Sequence, residues 1–217
     1  MNFHELFDFL EDLNANNHKA WMDENRNRYH KIKDNLYHWL LEIDDELTGI
    51  NNDHHPMDAK RAINRINNNL LYHPQKPTYK DHFGMGLDKK PGKSDFYIHI
   101  GINECFLAGG FYKPKRSNLN SIRDAIDYNG DKLKDILNDK KFKEHFGGLM
   151  DEGKLTNAPK GFTNDHPHID LLKNKSFAVA RSLHNEDVLS PNFKEIIIDT
   201  YKIMLPFRKY LNQAVTV

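Results

Sequence analysis

Seven side chains stand out as candidates to bind an anion, since arginine, lysine, tyrosine and histidine supply the positive charge and donors that phosphate and carboxylate groups need. They are Arg65, Lys76, Tyr79, Lys80, Tyr97, His99 and Arg123. Arginine is scarce here, with 8 residues against 23 lysines, so each arginine is more informative than usual. The set predicts a polar, arginine-lined pocket for a small anionic ligand.

Two-residue alternation decides which of these side chains share a face. It places Arg65 on one face of a predicted strand, 61–67, and Tyr97 with His99 on one face of a second strand, 96–100. If these strands pair, their polar faces form a concavity, and its rim carries Lys76, Tyr79 and Lys80. The alternative is the ordinary solvent-facing side of an antiparallel sheet.

Arg123 follows Ile122 and lies four residues after Leu119, so its side chain points toward the apolar stripe of its helix. A guanidinium in that position must find acceptors, because an unpaired buried charge is prohibitive. Two interpretations stay open. Either Arg123 is structural, with carboxylates or backbone carbonyls as acceptors, or it faces a cavity and holds an anion.

Basic residues also cluster just before this helix, at Lys113, Lys115 and Arg116, with Ser117 or Asn118 as the expected N-cap. Basic residues at a helix N-terminus can hold phosphate. The alternative is a solvated run of charges.

The spacing of the residues does not indicate a metal site, a nucleotide-binding loop or a catalytic serine motif. The 13 histidines lack the spacing of zinc ligands, and the chain contains no P-loop, GxSxG or GxGxxG motif. We therefore expect no metal and no cofactor, and whether the protein is an enzyme stays open.

The amino-acid composition limits the kinds of partner that the protein can bind. The chain has 217 residues, with 31 basic and 31 acidic side chains, and this balance argues against nucleic acid as a partner. No apolar run reaches the roughly 18 residues of a membrane span. The lone Cys105 excludes an internal disulfide and fits a reducing cytoplasm. The length favours a single domain, 1–217, and leaves the oligomeric state unknown.

Periodicity predicts the elements that position the candidate residues. Apolar stripes predict a helix over 3–13, one long helix from Trp21 to Leu47, a helix from Leu119 and a final helix from Phe193 that Pro206 kinks or ends. Between them lie the strand at 61–67, a short strand near 79–87, a hairpin of 96–100 with 104–112, and a strand at 177–180. This order predicts an α+β fold, a central antiparallel sheet packed against N-terminal and C-terminal helices. We also expect a buried core that includes Trp21, Tyr29, Leu36, Trp39, Ile98, Ile100, Ile122, Ile126, Ile196 and Ile197.

Several segments together resemble a known family. They are Asn16-Asn17-His18-Lys19-Ala20-Trp21, Arg65-Ile66-Asn67, Tyr97-Ile98-His99-Ile100, Ile122-Arg123, Ala158-Pro159-Lys160-Gly161-Phe162 and Lys175-Ser176-Phe177. In type and order they resemble domain of unknown function 2461, over nearly the whole chain. The resemblance implies a bacterial, cytoplasmic, single-domain protein, and it implies no activity.

One segment departs from the family's pattern, which runs Arg-Ile-x-Arg-Asp-x-Arg-Phe-Ser-Lys-Asp-Lys-x-Pro-Tyr-Lys. Asn68 and Asn69 stand where the family has its second arginine and the aspartate. Only Arg65, Lys76, Tyr79 and Lys80 of the polar positions remain. If relatives bind an anion there, this chain has a weakened or altered site.

Two functions follow from these observations. The first is the anion pocket. The second is a non-catalytic protein-interaction module that docks a partner through exposed loops at 73–94 and 138–165. The pocket requires polar side chains that converge in a cleft, whereas the module requires exposed aromatic residues on those loops and no deep pocket.

Overall fold

Eight helices and a four-stranded antiparallel sheet make up the described part of the computed structural model, residues 1–58 and 61–216. In chain order they are α1 (Phe3–Ala15), α2 (Lys19–Glu24), α3 (Arg26–Ile50), β1 (His82–Leu87), β2 (Asp95–Gly101), β3 (Cys105–Phe111), α4 (Arg116–Asn138), α5 (Lys140–Phe146), α6 (Ile169–Leu172), β4 (Phe177–Leu183), α7 (Asn185–Leu189) and α8 (Phe193–Ala214). The strands pair in the order β1-β2-β3-β4. This confirms the α+β prediction. Among the described helices, none has both the length and the hydropathy to cross a membrane.

The described residues divide into two compact units. Unit 1 comprises those of Met1–Asp88, Tyr97–Leu107 and Ser182–Ile198, and unit 2 comprises Lys89–Phe96, Ala108–Arg181 and the described residues from Asp199 onward. The prediction of one domain stays a prediction.

In unit 1, the first helices pack on the sheet through aromatic rings. The α1 stripe buries Phe9, whose ring centroid lies 6.3 Å from that of Phe83 on β1. Tyr29 of α3 stacks on the same Phe83 ring at 6.2 Å. These contacts confirm that N-terminal helices cover the sheet.

In unit 2, α8 packs on the sheet. Tyr201 meets Phe96 of β2 edge-on at 5.3 Å. A side chain at Gly109 would collide with Met204 of α8, and one at Gly110, whose φ is +113°, would collide with the backbone of Phe177 on β4. The two glycines therefore allow close packing around β3, and α8 continues through Pro206 instead of ending there.

Most of the predicted elements are present. The hairpin appears as β2 and β3, the short strand as β1, and the strand at 177–180 as β4. Eight of the ten expected core residues are buried, and Trp21 and Ile196 are half-buried. Cys105 is buried and is not in a disulfide.

Three predictions about elements are wrong. The long helix from Trp21 is two helices separated at Asn25, whose side chain donates to the Trp21 carbonyl. The strand at 61–67 is reduced to isolated bridges, Ile63 with Met85 and Asn67 with Tyr79, so two-residue alternation there did not produce a ladder.

The N-cap of α4 also differs from the prediction, since it is Lys115, outside the Ser117–Asn118 pair. Helices α5 and α7 were not predicted at all. Both are short: α5 has seven residues and α7 has five, too few for a clear apolar period.

A buried charge cluster in unit 1 closes the loop after α3. His54 Nε2 lies 2.7 Å from the Asp44 carboxylate, and His54 Nδ1 lies 3.7 Å from that of Asp88. The two carboxylates also accept backbone N–H groups of the loop, from His55 at 2.8 Å and Met57 at 2.9 Å. Burial lowers the pKa of His54, but the hydrogen bonds and charges of Asp88 and Asp44 outweigh it and raise that pKa above the usual 6.5.

This cluster makes stability depend on pH in a defined direction. Because the pKa of His54 is raised by folding, its contribution is fully present below about pH 6.5 and is lost as pH rises through the raised value. Urea unfolding at a series of pH values measures the unfolding free energies of the wild type and of His54→Gln. We expect the difference between them, wild type minus variant, to fall as the pH rises through this window. The exposed His38→Gln variant on α3 serves as the control. Parallel pH profiles for the wild type and His54→Gln would contradict this account.

Candidate functional site

A cleft of about 460 Å³ on unit 2 is lined by several cationic side chains. Half of its lining comes from the first turns of α4, and the rest from the segment before β4. The lining residues are Arg116, Leu119, Asn120, Arg123, Asp124, Leu155, Pro159, Lys160, Phe162 and Lys175. Four of them are cations and one is a carboxylate.

The α4 side of the cleft is one helical face. Arg116, Leu119, Asn120 and Arg123 follow the three- and four-residue spacing that aligns side chains on a helix. The N-cap Lys115 makes no side-chain hydrogen bond to the helix, and the first turn contains no acidic residue. The positive end of the helix dipole is therefore uncompensated by a cap or an acidic side chain beside Arg116.

The opposite side is shaped by a tight turn. The Phe162 N–H donates to the Pro159 carbonyl at 3.1 Å, and Gly161 has φ +97°. This positive φ fits the third position of a type II turn, which favours glycine. The turn puts Lys160 and Phe162, on either side of Gly161, into the cleft lining.

Arg123 is the buried cation of this cleft. Its side chain is buried, its Nε donates to the Leu172 carbonyl at 2.9 Å, and its Nη2 donates to the Asn174 carbonyl at 3.2 Å. These bonds use two of its five N–H donors. Burial lowers the pKa of Arg123. The acceptors are backbone carbonyls, which are among those that the structural interpretation requires, and the residue lines the cleft as well.

The cleft lining has four cations and a single carboxylate, Asp124. Among the described residues, no carboxylate forms an ion pair with Arg116, Arg123, Lys160 or Lys175. Arg116, Lys160 and Lys175 are exposed and free to move toward a ligand. The arrangement can hold a small anion by charge-assisted hydrogen bonds.

Tyr97 and His99 lie together on one face of β2 in unit 1, as predicted. The Tyr97 hydroxyl lies 3.3 Å from His99 Nδ1, and the His99 ring stacks between Phe106 at 4.4 Å and His82 at 4.1 Å. Burial, helped by the charge of His82, lowers the pKa of His99 to about 4. His99 is therefore neutral at pH 7 and brings no positive charge to a ligand.

The predicted rim residues are also in unit 1 and form a second basic group. Lys80 Nζ donates to the Arg65 carbonyl at 2.6 Å, and burial, followed by the charges of Arg65 and Lys76, lowers the pKa of Lys80. Tyr79 is buried and exchanges two hydrogen bonds with the Asn17 amide, at 2.8 and 3.0 Å. Tyr79 thus anchors the segment, whereas Arg65 and Lys76 are exposed.

The structure therefore brings together Tyr97 with His99 and Lys80 with Arg65, and places Arg123 in unit 2 with its own partners. The site prediction missed Lys160, Phe162 and Lys175, although all three lie in segments that carry the family resemblance. The sequence indicates Arg116 only as part of the basic run before α4. Its seven-residue spacing from Arg123 was the available signal.

No metal cluster accompanies either group. Within residues 1–58 and 61–216, no three histidine, cysteine, aspartate or glutamate side chains are placed to hold a metal ion together.

The fold and the cleft define a class: an α+β protein with a cationic cleft built on the N-terminal end of a long helix. The chain belongs to the DUF2461 family, described as a conserved hypothetical protein, whose model matches residues 5–210. No curated protein and no solved structure matches the chain. The resemblance stated from the sequence is confirmed over nearly the whole chain.

We expect Arg123→Ala to destabilise the protein by about 3 kcal/mol, because the change leaves two buried carbonyls without donors and removes a buried side chain. Urea unfolding measures the difference. The control is Arg116→Ala, an exposed position on the same helix, for which we expect less than about 0.5 kcal/mol. Equal stabilities of Arg123→Ala and the wild type would show that the two hydrogen bonds are unimportant.

Proposed function

We propose that the protein binds a small anionic ligand in the cationic cleft of unit 2. The observation that carries the proposal is Arg123, a buried guanidinium that lines the cleft and has carbonyl partners but no carboxylate. Buried charges in proteins are normally paired. A bound anion would complete this pairing, and this need supports a ligand at the cleft.

The other cations and the helix support the same ligand chemistry. Lys160, Lys175 and Arg116 approach from different segments of the chain, so they can contact one anionic group from several directions. The uncapped N-terminus of α4 adds its dipole to theirs. The cleft volume falls within the roughly 300–1,000 Å³ of small-molecule sites.

The proposal is limited to binding. The polar groups that line the cleft offer charge and hydrogen bonds, and the only carboxylate among them is Asp124. As the family resemblance implies, we place the protein in the bacterial cytoplasm, and its free, buried Cys105 supports a reducing compartment. The balanced charge supports a ligand other than nucleic acid.

The interaction module stays as the second candidate, because one loop exposes adjacent apolar side chains. Leu70, Leu71 and Tyr72 have 38%, 84% and 74% of their surface exposed. They immediately precede the 73–94 segment, one of the two loops that the interaction-module hypothesis assigns to docking. A partner with an apolar pocket would cover them.

The anion proposal predicts a measurable stabilisation by inorganic phosphate. We expect the unfolding temperature to rise in sodium phosphate relative to sodium chloride of equal ionic strength, since a ligand that binds only the folded state stabilises it, by about 2.7 kcal/mol at 100 times its Kd. Lys175→Ala should weaken the response by removing one cation from the cleft.

The matched control is Lys141→Ala, which removes the same charge from an exposed position on α5 in the same unit. Its phosphate response should equal that of the wild type. No phosphate-specific shift, or equal losses in Lys175→Ala and Lys141→Ala, would contradict binding in this cleft.

A further inference from the structure

We propose that the ligand of this cleft is a phosphomonoester joined to a planar ring, with Phe162 as the platform for the ring. This inference rests on the proposed function and specifies its ligand. It combines three features of the lining: an aromatic side chain, a concentrated positive region and a lone carboxylate.

Phe162 is placed to contact a ring. It lines the cleft and is half-buried, so part of its surface is accessible there. A neighbouring ring contacts it: the His166 ring meets Phe162 edge-on at 5.7 Å, and His166 Nε2 lies 2.9 Å from the Asp127 carboxylate on α4. A ring held by a turn and by a neighbouring ring loses little freedom when another ring stacks on it.

The positive region favours a doubly charged phosphate. Arg116 and Arg123 lie on the same face of α4, at and near its positive end, and Lys175 adds a flexible cation. A phosphomonoester carries close to two negative charges at pH 7 and three acceptor oxygens. A carboxylate, with one charge and two oxygens, would leave more of these donors unused.

The lone carboxylate favours neutral hydrogen-bond donors on the ligand. Asp124 follows Arg123 on α4 and lines the same cleft, together with the Asn120 amide. A carboxylate accepts hydrogen bonds from hydroxyl or amino groups and repels a second anion. The ligand therefore carries neutral donors in addition to its phosphate and its ring. A nucleoside monophosphate has this chemistry.

Two probes test the inference by calorimetry. They are adenosine 5′-monophosphate, and ribose 5-phosphate, which lacks the planar adenine base. We expect the wild type to bind the first about tenfold more tightly, near the lower end of the range for one stacked base. Phe162→Leu keeps an apolar side chain but has no aromatic face. It should reduce the ratio to near one while the affinity for ribose 5-phosphate stays unchanged.

Phe162→Tyr is the control and should keep the preference, and the unfolding temperature of each variant verifies its fold. Equal affinities of the wild type for the two probes would overturn the inference and leave the proposed function intact. A Phe162→Leu variant that loses both probes equally would also overturn the role of the ring. If neither probe nor inorganic phosphate binds the wild type, the proposed function fails as well.

Discussion

The Arg123 side chain runs from α4 to the segment just before β4, where it donates hydrogen bonds to the Leu172 and Asn174 carbonyls. These carbonyls lie at the end of α6 and just beyond it, so a single guanidinium fastens that segment to the long helix. The Leu155 N–H in turn donates to the Lys173 carbonyl at 2.9 Å. The far wall of the cleft therefore depends on a segment that Arg123 holds in place.

The charge of the same side chain has no ion-pair partner among the carboxylates that the structure describes. Carbonyl oxygens satisfy two of its N–H groups but carry no net charge, and the cleft lining adds three other cations and one carboxylate, Asp124. For the proposed anion, a site held by a structural hydrogen bond is pre-organised, because its geometry exists before the ligand arrives. The proposed function thus joins structural and binding roles in Arg123, although the sequence presented them as alternatives.

The sequence could predict the parts of this structure that depend on residues close together along the chain, but not those that depend on contacts between distant segments. Strict alternation at Phe96, Ile98 and Ile100 sufficed for β2, and the position of Arg123 beside Ile122 sufficed to turn it inward. The cleft wall could not be predicted, because Lys160 and Phe162 lie in an irregular segment whose position comes from contacts distant in sequence. The break at Asn25 could not be predicted either. The apolar stripe continues across Asn25, whereas the helical conformation of the backbone is interrupted there.

The most direct test of the account follows the Arg123 Nε–H group by NMR. The chain has only 8 arginines, so their side-chain Nε resonances can be resolved, and Arg123→Lys identifies the one that belongs to Arg123. In the free protein, we expect this Nε–H to exchange slowly with water, since it is buried and donates to the Leu172 carbonyl. Titration with inorganic phosphate should shift this resonance and leave that of Arg61, an exposed arginine of unit 1, unchanged. A rapidly exchanging Arg123 Nε–H, or a resonance that phosphate does not move, would contradict the central claim.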